Sequence, residues 1–514
     1  MNELPIYRGS GLLVNIKPDD NSSQSKKVMG ANELNIAFKL SYFVNFHIND
    51  YCQAYGETYK VNKLPTVIKR SVYLYEYSLI MEAEGFDLGK VQYLFLGATN
   101  TLKEGDFSVM GNADTFIDLI IANATRTSSG WVKGQVIPTG YKNITFNSIN
   151  CYNALAQIAT AFGTEFAIEG KTIHLTQRSK DTGVTLRHGR FKGLYDITRQ
   201  NVDSSSIITR LYAFGSDKNL PSTYRAGLSK RLKMPVVGAD PGDFIELHTG
   251  DYGIIESTHI FEDIYPHRTG KVTSINFSNP FKFYDTTLDF NINTQLIPGV
   301  SAKVVFNTGQ LAGYTFEIQE GGFNNGTKEF TLLKNTSEQS LDVPSVNFRP
   351  AIGDLYVLID IVMPQSYVDA AETDLKNKAI DLLAISSEPQ LQYQVTPDPT
   401  YLKGRNLELN IGDLVWIHDV ELEIQRQIRI TSTTRNIVSE WQYSVELSDV
   451  LSLGPITLLQ NATTAQGSQL GVINQQINIL AEKNLGDLAI INSTVGYSPV
   501  YINNTTGALR RYVP

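Results

Sequence analysis

The chain has 514 residues, room for about three or four domains that each bury a core of their own. With 44 Lys and Arg against 52 Asp and Glu its net charge is −8, which excludes a basic nucleic-acid-binding face spread over the whole chain and a polybasic membrane anchor. Two cysteines, Cys52 and Cys151, exclude a disulfide scaffold and a Cys-based zinc site; both read as buried thiols, and whether they pair is open at this level.

With 42% hydrophobic and 19% charged residues, long disordered stretches are not expected, and 26 Tyr with 23 Phe favour strands over helices. No apolar run reaches the ~20 residues of a membrane span; the longest, Leu355 to Met363, contains Asp360 and is followed by Pro364. The first residues, MNELPIYRGSG, lack the basic and apolar regions of a signal peptide, so synthesis in a cytoplasm without membrane insertion is expected.

Between Ile36 and Ile48 apolar residues fall on every second position: Ile36, Phe38, Leu40, Tyr42, Val44, Phe46 and Ile48. Period two predicts a strand or long hairpin arm with one buried face. The runs from Ser71 to Gly85 and from Val91 extend this into an antiparallel, all-β N-terminal block. From about Asp106 the pattern turns helical. Asp114 precedes Phe116, Ile117, Ile120 and Ile121, and Ser148 is the expected cap of a helix bearing Ile149, Tyr152, Leu155, Ile158 and Phe162 that stops at Gly163. A hairpin at EFAIEGKTIHLTQ completes an α+β unit inserted between β segments, and strand character returns at Ser204 to Asp217.

Residues 236–363 read as a β-rich domain. Pro364 then opens a connector helix over 364–385, with Ser366 and Asp369 in a capping-box spacing and Glu372–Lys376 and Asp374–Lys378 as exposed pairs four apart. A last meander runs from Leu407 to Asp449 within a second β domain, 386–455. In the segment 456–514, Leu470, Ile473, Ile477 and Leu480 are spaced as two heptads of an a/d seam, too short to stand alone but sufficient if copies are already side by side.

Catalytic chemistry is hard to find. None of the seven histidines has a metal-ligand partner at helical spacing, and His259 and His267 around Glu262 and Asp263 are the nearest approach to a cluster. There is no phosphate loop, dinucleotide fingerprint or GxSxG elbow. Cys151 is a conceivable nucleophile in the first turn of its helix, but its neighbours Ile149, Tyr152 and Leu155 are core residues. No catalytic, cofactor or metal site is expected.

The series NALAQIATAFGTEFAIEGKTIHL, SSIITRLYAFGSDKNLP, PAIGDLYVLIDIVMP with the following AETDLKNKA, LNIGDLVWIHD and IRITSTTRN resembles the tail-associated baseplate-hub proteins of phages and prophages, the prophage endopeptidase tail family. The resemblance spans roughly residues 100 to 450. It implies a trimer at the end of the tail, with two β-barrel-like ring domains per subunit that continue the tail tube. The first ring domain would be residues 1–105 with strands near 195–235 returning to it, Ile207 to Phe214 among them; residues 106–194 would be the insertion. Implied partners are sister copies, the distal tail protein, tail tube and tape measure proteins, and fibre or receptor-binding proteins, with DNA only as passing cargo and the virion tail tip as location.

Members that digest cell wall carry a lytic domain after the hub. Here about fifty residues follow the last meander, so no such domain is expected; the short seam is expected either to be a tail helix packing on its own domain or to start a trimeric stalk that plugs the channel or docks a separate fibre. The competing expectations are a tail-associated wall-degrading endopeptidase with an unrecognised site, and a carbohydrate-binding adhesin using its aromatic strands.

Overall fold

A computed structural model of the chain describes residues 3–96, 103–201, 207–238, 242–335, 343–387, 391–448, 500–502 and 509–511. The chain divides into two units, Met1–Ser452 and Leu453–Pro514. In the second, Val500–Ile502 pairs antiparallel with Leu509–Arg511.

The organising element of the first unit is a long strand, Ile424–Asn436. Its buried Ile424, Ile428 and Ile430 face one interior. It pairs on one side with Asp413–Asp419 and on the other with Tyr443–Ser448. Tyr443–Ser448 pairs with Leu391–Pro397, which pairs with Gly193–Asn201. That strand meets Lys180–His188 at Arg187–Gly193 and His188–Leu194, and Lys180–His188 runs parallel to Asp413–Asp419. The circuit is a closed six-stranded barrel, filled by residues such as Leu194, Tyr393, Val415, Ile417 and Leu447. Closure leaves no edge inside the circuit.

Beyond Ile430 the same long strand gains a new neighbour. Ser432–Asn436 pairs with Ser23–Lys27, the first strand of a second curled sheet. From there the order is Asn32–Leu40, Leu74–Ala83, Glu57–Val61, Tyr51–Ala54, Leu4–Arg8 and Gly11–Ile16, all antiparallel. This sheet almost closes. Pro18 bridges Phe38 and the Asp19 N–H donates to the Ala37 carbonyl at 2.7 Å. Proline has no N–H to extend that ladder, so the module stays a half-barrel. Its core packs Leu4, Ile6, Ile16, Leu34, Ile36, Phe38, Tyr59 and Leu79, with the Phe38 and Tyr77 rings stacked at 4.9 Å.

The inserted α+β unit has helices Ala113–Thr125 and Cys151–Ala161 against Asp106–Gly111 paired with Lys142–Asn147, and a three-stranded sheet of Val132–Val136, Thr172–Leu175 and Phe166–Glu169. The second helix is capped by Asn150, whose Oδ1 accepts from the Asn153 N–H at 2.8 Å. Ser148, the cap expected from sequence, lies two residues early at φ 48 and donates its hydroxyl to Asp106 instead. Gly163 follows the helix at φ 62, the left-handed stop its position requires.

Residues Thr269–Ile359 form a seven-stranded sheet whose two end strands, Thr269–Lys271 and Ser274–Ile275, are consecutive in the chain, so the sheet curls back on itself. Phe283 stacks on Phe330 at 4.5 Å in its core. Its longest strand, Thr315–Asn324, breaks register at Gly321 and Gly322; a Cβ on Gly322 would lie 2.7 Å from the Gln319 carbonyl.

Three sequence expectations are corrected by strand and helix contacts. The even-numbered run from Ile36 does not form one strand, because Asn32–Leu40 ends the regular pairing; Tyr42 and Ile48 are exposed whereas Val44 and Phe46 turn back into the core. The expected return of Ile207 to Phe214 to the N-terminal block does not occur. Arg210–Gly215 instead pairs with Glu256–Phe261 and Ile245–Glu246, and packs Leu211 and Ala213 against helix Gln365–Ser386; it is Gly193–Asn201 that enters the closed barrel. Sheet partners are chosen by long-range packing, which local alternation does not encode. The connector helix begins directly after Pro364, but without the expected Ser366–Asp369 capping box, since no side chain caps it. Glu372 is not on a wet face: it is buried and accepts from Tyr224 Oη at 2.7 Å and Arg225 Nη2 at 3.1 Å.

Candidate functional site

The residues that sequence reading weighed for chemistry are not brought together. Cys52 and Cys151 are both free and fully buried. Burial pushes the Cys151 thiol up to about 12, so its place in a helix first turn supplies no thiolate. His259 packs its ring on Phe261 at 4.5 Å, while His267 Nδ1 lies 2.8 Å from the Tyr265 carbonyl. Glu262 pairs with Arg231 at 2.7 Å and Asp263 lies 3.8 Å from Lys142. Among the described residues no group of His, Cys, Asp and Glu is arranged to hold a metal. None of the described helices is long and apolar enough to cross a membrane. The seam Leu470, Ile473, Ile477 and Leu480 lies outside the described residues.

A surface of a different kind stands out on the half-barrel. It carries a hairpin of Thr66–Ser71 and Leu74–Ala83, and among the described residues Thr66–Ser71 pairs with the second strand alone. A sheet margin left unpaired in this way offers a row of N–H and C=O groups to another chain. Leu64 is 65% exposed, Val72 69% and Tyr73 80%, with Ile68 exposed beside them. Tyr42 and Phe43 add to the same apolar area, Phe43 touching Tyr75 with ring centres 5.9 Å apart. Lys63, Lys69 and Arg70 are exposed in the same segment; Lys69 lies over the Tyr75 ring, and Arg70 Nε donates to Glu76 at 2.9 Å. Exposed apolar side chains grouped on one projection mark an interaction surface. The strand Thr66–Ser71 was not anticipated from sequence; the signal was Val67 and Ile68 followed at once by Lys69 and Arg70, an edge strand guarded by cations.

A second feature fixes the insertion to the closed barrel. Arg429, on the long strand, donates both terminal nitrogens to Glu165 of the insertion at 2.6 Å each, and both side chains are buried. The pair borders a cleft of about 630 Å³ between the insertion, the half-barrel and the closed barrel, lined by Lys26, Tyr55, Phe86, Tyr152 and Asp413 among others. Tyr152 of the insertion stacks on Phe86 of the half-barrel at 5.1 Å, so the insertion is gripped by both neighbours. Nothing in the local sequence announced an ion pair between positions 264 apart.

No protein-family description and no curated protein matches the sequence. Among solved structures, the prophage tail protein gp18 from Listeria monocytogenes EGD-e has 9% identity and a TM-score of 0.45 over 90% of this chain and 99% of its own. The 43 kDa tail protein of prophage MuSo2 from Shewanella oneidensis gives 9%, 0.45, 88% and 99%. The tail protein from Neisseria meningitidis MC58 gives 11%, 0.43, 87% and 96%. The chain is similar to prophage tail proteins. The likeness runs along most of its length, at low identity.

Proposed function

We propose that this chain is a structural component of a phage or prophage tail tip, a homotrimeric hub that closes or continues the tail tube and anchors receptor-binding or fibre proteins. The observation that carries this reading is the pairing of a closed six-stranded barrel with a half-barrel through one strand, Ile424–Asn436. Two barrel modules per chain, one with an unpaired margin and an apolar projection, suit a ring in which three copies supply six modules. The resemblance read from the segments between residues 100 and 450 supports the same role. The seam at Leu470 to Leu480 would then start a stalk on the axis, and the net negative charge would keep passing DNA from adhering.

The test is the mass of the purified full-length chain by sedimentation across a concentration series, with negative-stain images of the assembled species. A threefold particle supports the hub. A well-folded monomer at every concentration sinks it. The buried, protonated Cys151 thiol and the dispersed histidines favour no hydrolytic reading over this one.

A further inference from the structure

The basic, apolar hairpin of the half-barrel has a counterpart of opposite sign on the same chain. The turn joining Asp413–Asp419 to Ile424–Asn436 presents Asp419, Glu421 and Glu423 around Val420, which is 68% exposed, with Trp416 exposed on the adjoining strand. The turn has a defined shape: Asp419 Oδ1 accepts from the Leu422 N–H at 2.9 Å, and Glu423 sits at φ 56. Among the described residues Lys63, Lys69, Glu421 and Glu423 enter no ion pair.

We infer that the hairpin of Lys63, Leu64, Ile68, Lys69 and Tyr73 in one copy docks on the acidic turn of Val420, Glu421 and Glu423 in the next copy. The inference rests on the ring reading above and names the surfaces that would build it. Three features of the molecule support it. The two patches are complementary in charge and both are centred on exposed apolar side chains, the composition of a contact that combines steering with burial. They also sit on different modules. The turn precedes Ile424, whereas the half-barrel joins the strand from Ser432 onward, roughly 25 Å away at about 3.3 Å per residue. Finally, because the two patches differ, the contact is head-to-tail. An open row of copies keeps one free face of each kind, one at either end, and a ring uses up both.

The test uses the full chain in three altered forms: Lys63→Glu with Lys69→Glu, Glu421→Lys with Glu423→Lys, and all four changes together. All are exposed positions, and thermal unfolding of each form should match the parent. Sedimentation at low salt is expected to show self-association weakened about tenfold or more in each double change, and restored when all four are combined, since the signs are then opposite again. High salt should weaken the parent and the fourfold form alike. If a parent that assembles is unaffected by either double change, or if the fourfold form stays as weak as the double changes, the docking is wrong while a ring built on other surfaces survives. If the parent itself is a monomer at every concentration, both the docking and the hub reading fall.

Discussion

The two barrel modules share a strand and little else in how they finish their sheets. The closed barrel completes its circuit with Lys180–His188, a strand delivered from more than two hundred residues before its neighbour Asp413–Asp419, and its exposed apolar residues are few. The half-barrel is built almost entirely from the first 83 residues, reaches closure only at the Pro18–Phe38 bridge, and projects Leu64, Val72 and Tyr73 into solvent. One module is sealed by long-range pairing; the other keeps an unpaired margin among the described residues and a group of exposed apolar side chains. Closure is thus complete in one half of a continuous sheet and incomplete in the other.

That division can be broken most severely at the closed barrel. Glu165→Ala leaves Arg429 buried without its partner, an expected cost of about 3–5 kcal/mol, read as a large drop in thermal midpoint; replacing both residues by apolar ones of similar volume should recover most of it. Ile430→Ala, on the strand both modules use, should cost about 2–5 kcal/mol in denaturant unfolding, and a loss under 1 kcal/mol would mean the strand is not a common core element. Asn150→Ala removes a helix cap in the insertion and should cost about 1 kcal/mol without touching assembly. Tyr73→Ser on the half-barrel projection should do the reverse, shifting stability by less than about 0.5 kcal/mol while weakening self-association in sedimentation.

The smallest effects separate the modules by pH. In the half-barrel, burial opposes ionisation of Asp50, but the Arg8 guanidinium and the His47 N–H hold its carboxyl below the usual range. Its contribution is therefore complete above the ordinary carboxylate pKa and lost as pH falls through the folded value. In the closed barrel, burial pushes the Asp413 carboxyl up against the opposing Asn410 N–H. That contribution has the other sign: it is present below the ordinary carboxylate pKa and lost as pH rises through the raised folded value. Asp413→Asn should raise the thermal midpoint at neutral pH, with the gain vanishing in acid. Asp50→Asn should lower it at neutral pH, with the loss vanishing in acid. Parallel behaviour of the two variants across pH would remove the contrast.

Much of the local structure was legible. The helix around Leu155, its stop at Gly163, the helix after Pro364 and the strands of the last meander follow from residue spacing, because period is short-range physics. The N-terminal caps differ: Asn150 and not Ser148 caps the first helix, and no side chain caps the second. The errors cluster where a side chain's partner is distant. Glu372 looked like a surface acid paired with Lys376, four residues on, and is instead buried under Tyr224 and Arg225, from a loop almost 150 positions earlier. Thr66–Ser71 was missed because a strand with one paired side and few buried residues carries no alternating pattern.

The amino-acid order alone determined that this is a mainly β chain with an inserted α+β unit and a connector helix, since period, turn residues and caps act within a few positions. Only the tertiary structure decided that Lys180–His188 and Gly193–Asn201 close a barrel with strands from the other end of the chain, that Glu165 finds Arg429, and that Leu64 and Tyr73 stay outside. Those outcomes depend on which sheet margins meet once the chain is compact, and backbone hydrogen bonds are the same for every candidate partner. The choice is made by packing summed over many residues, which no single segment contains.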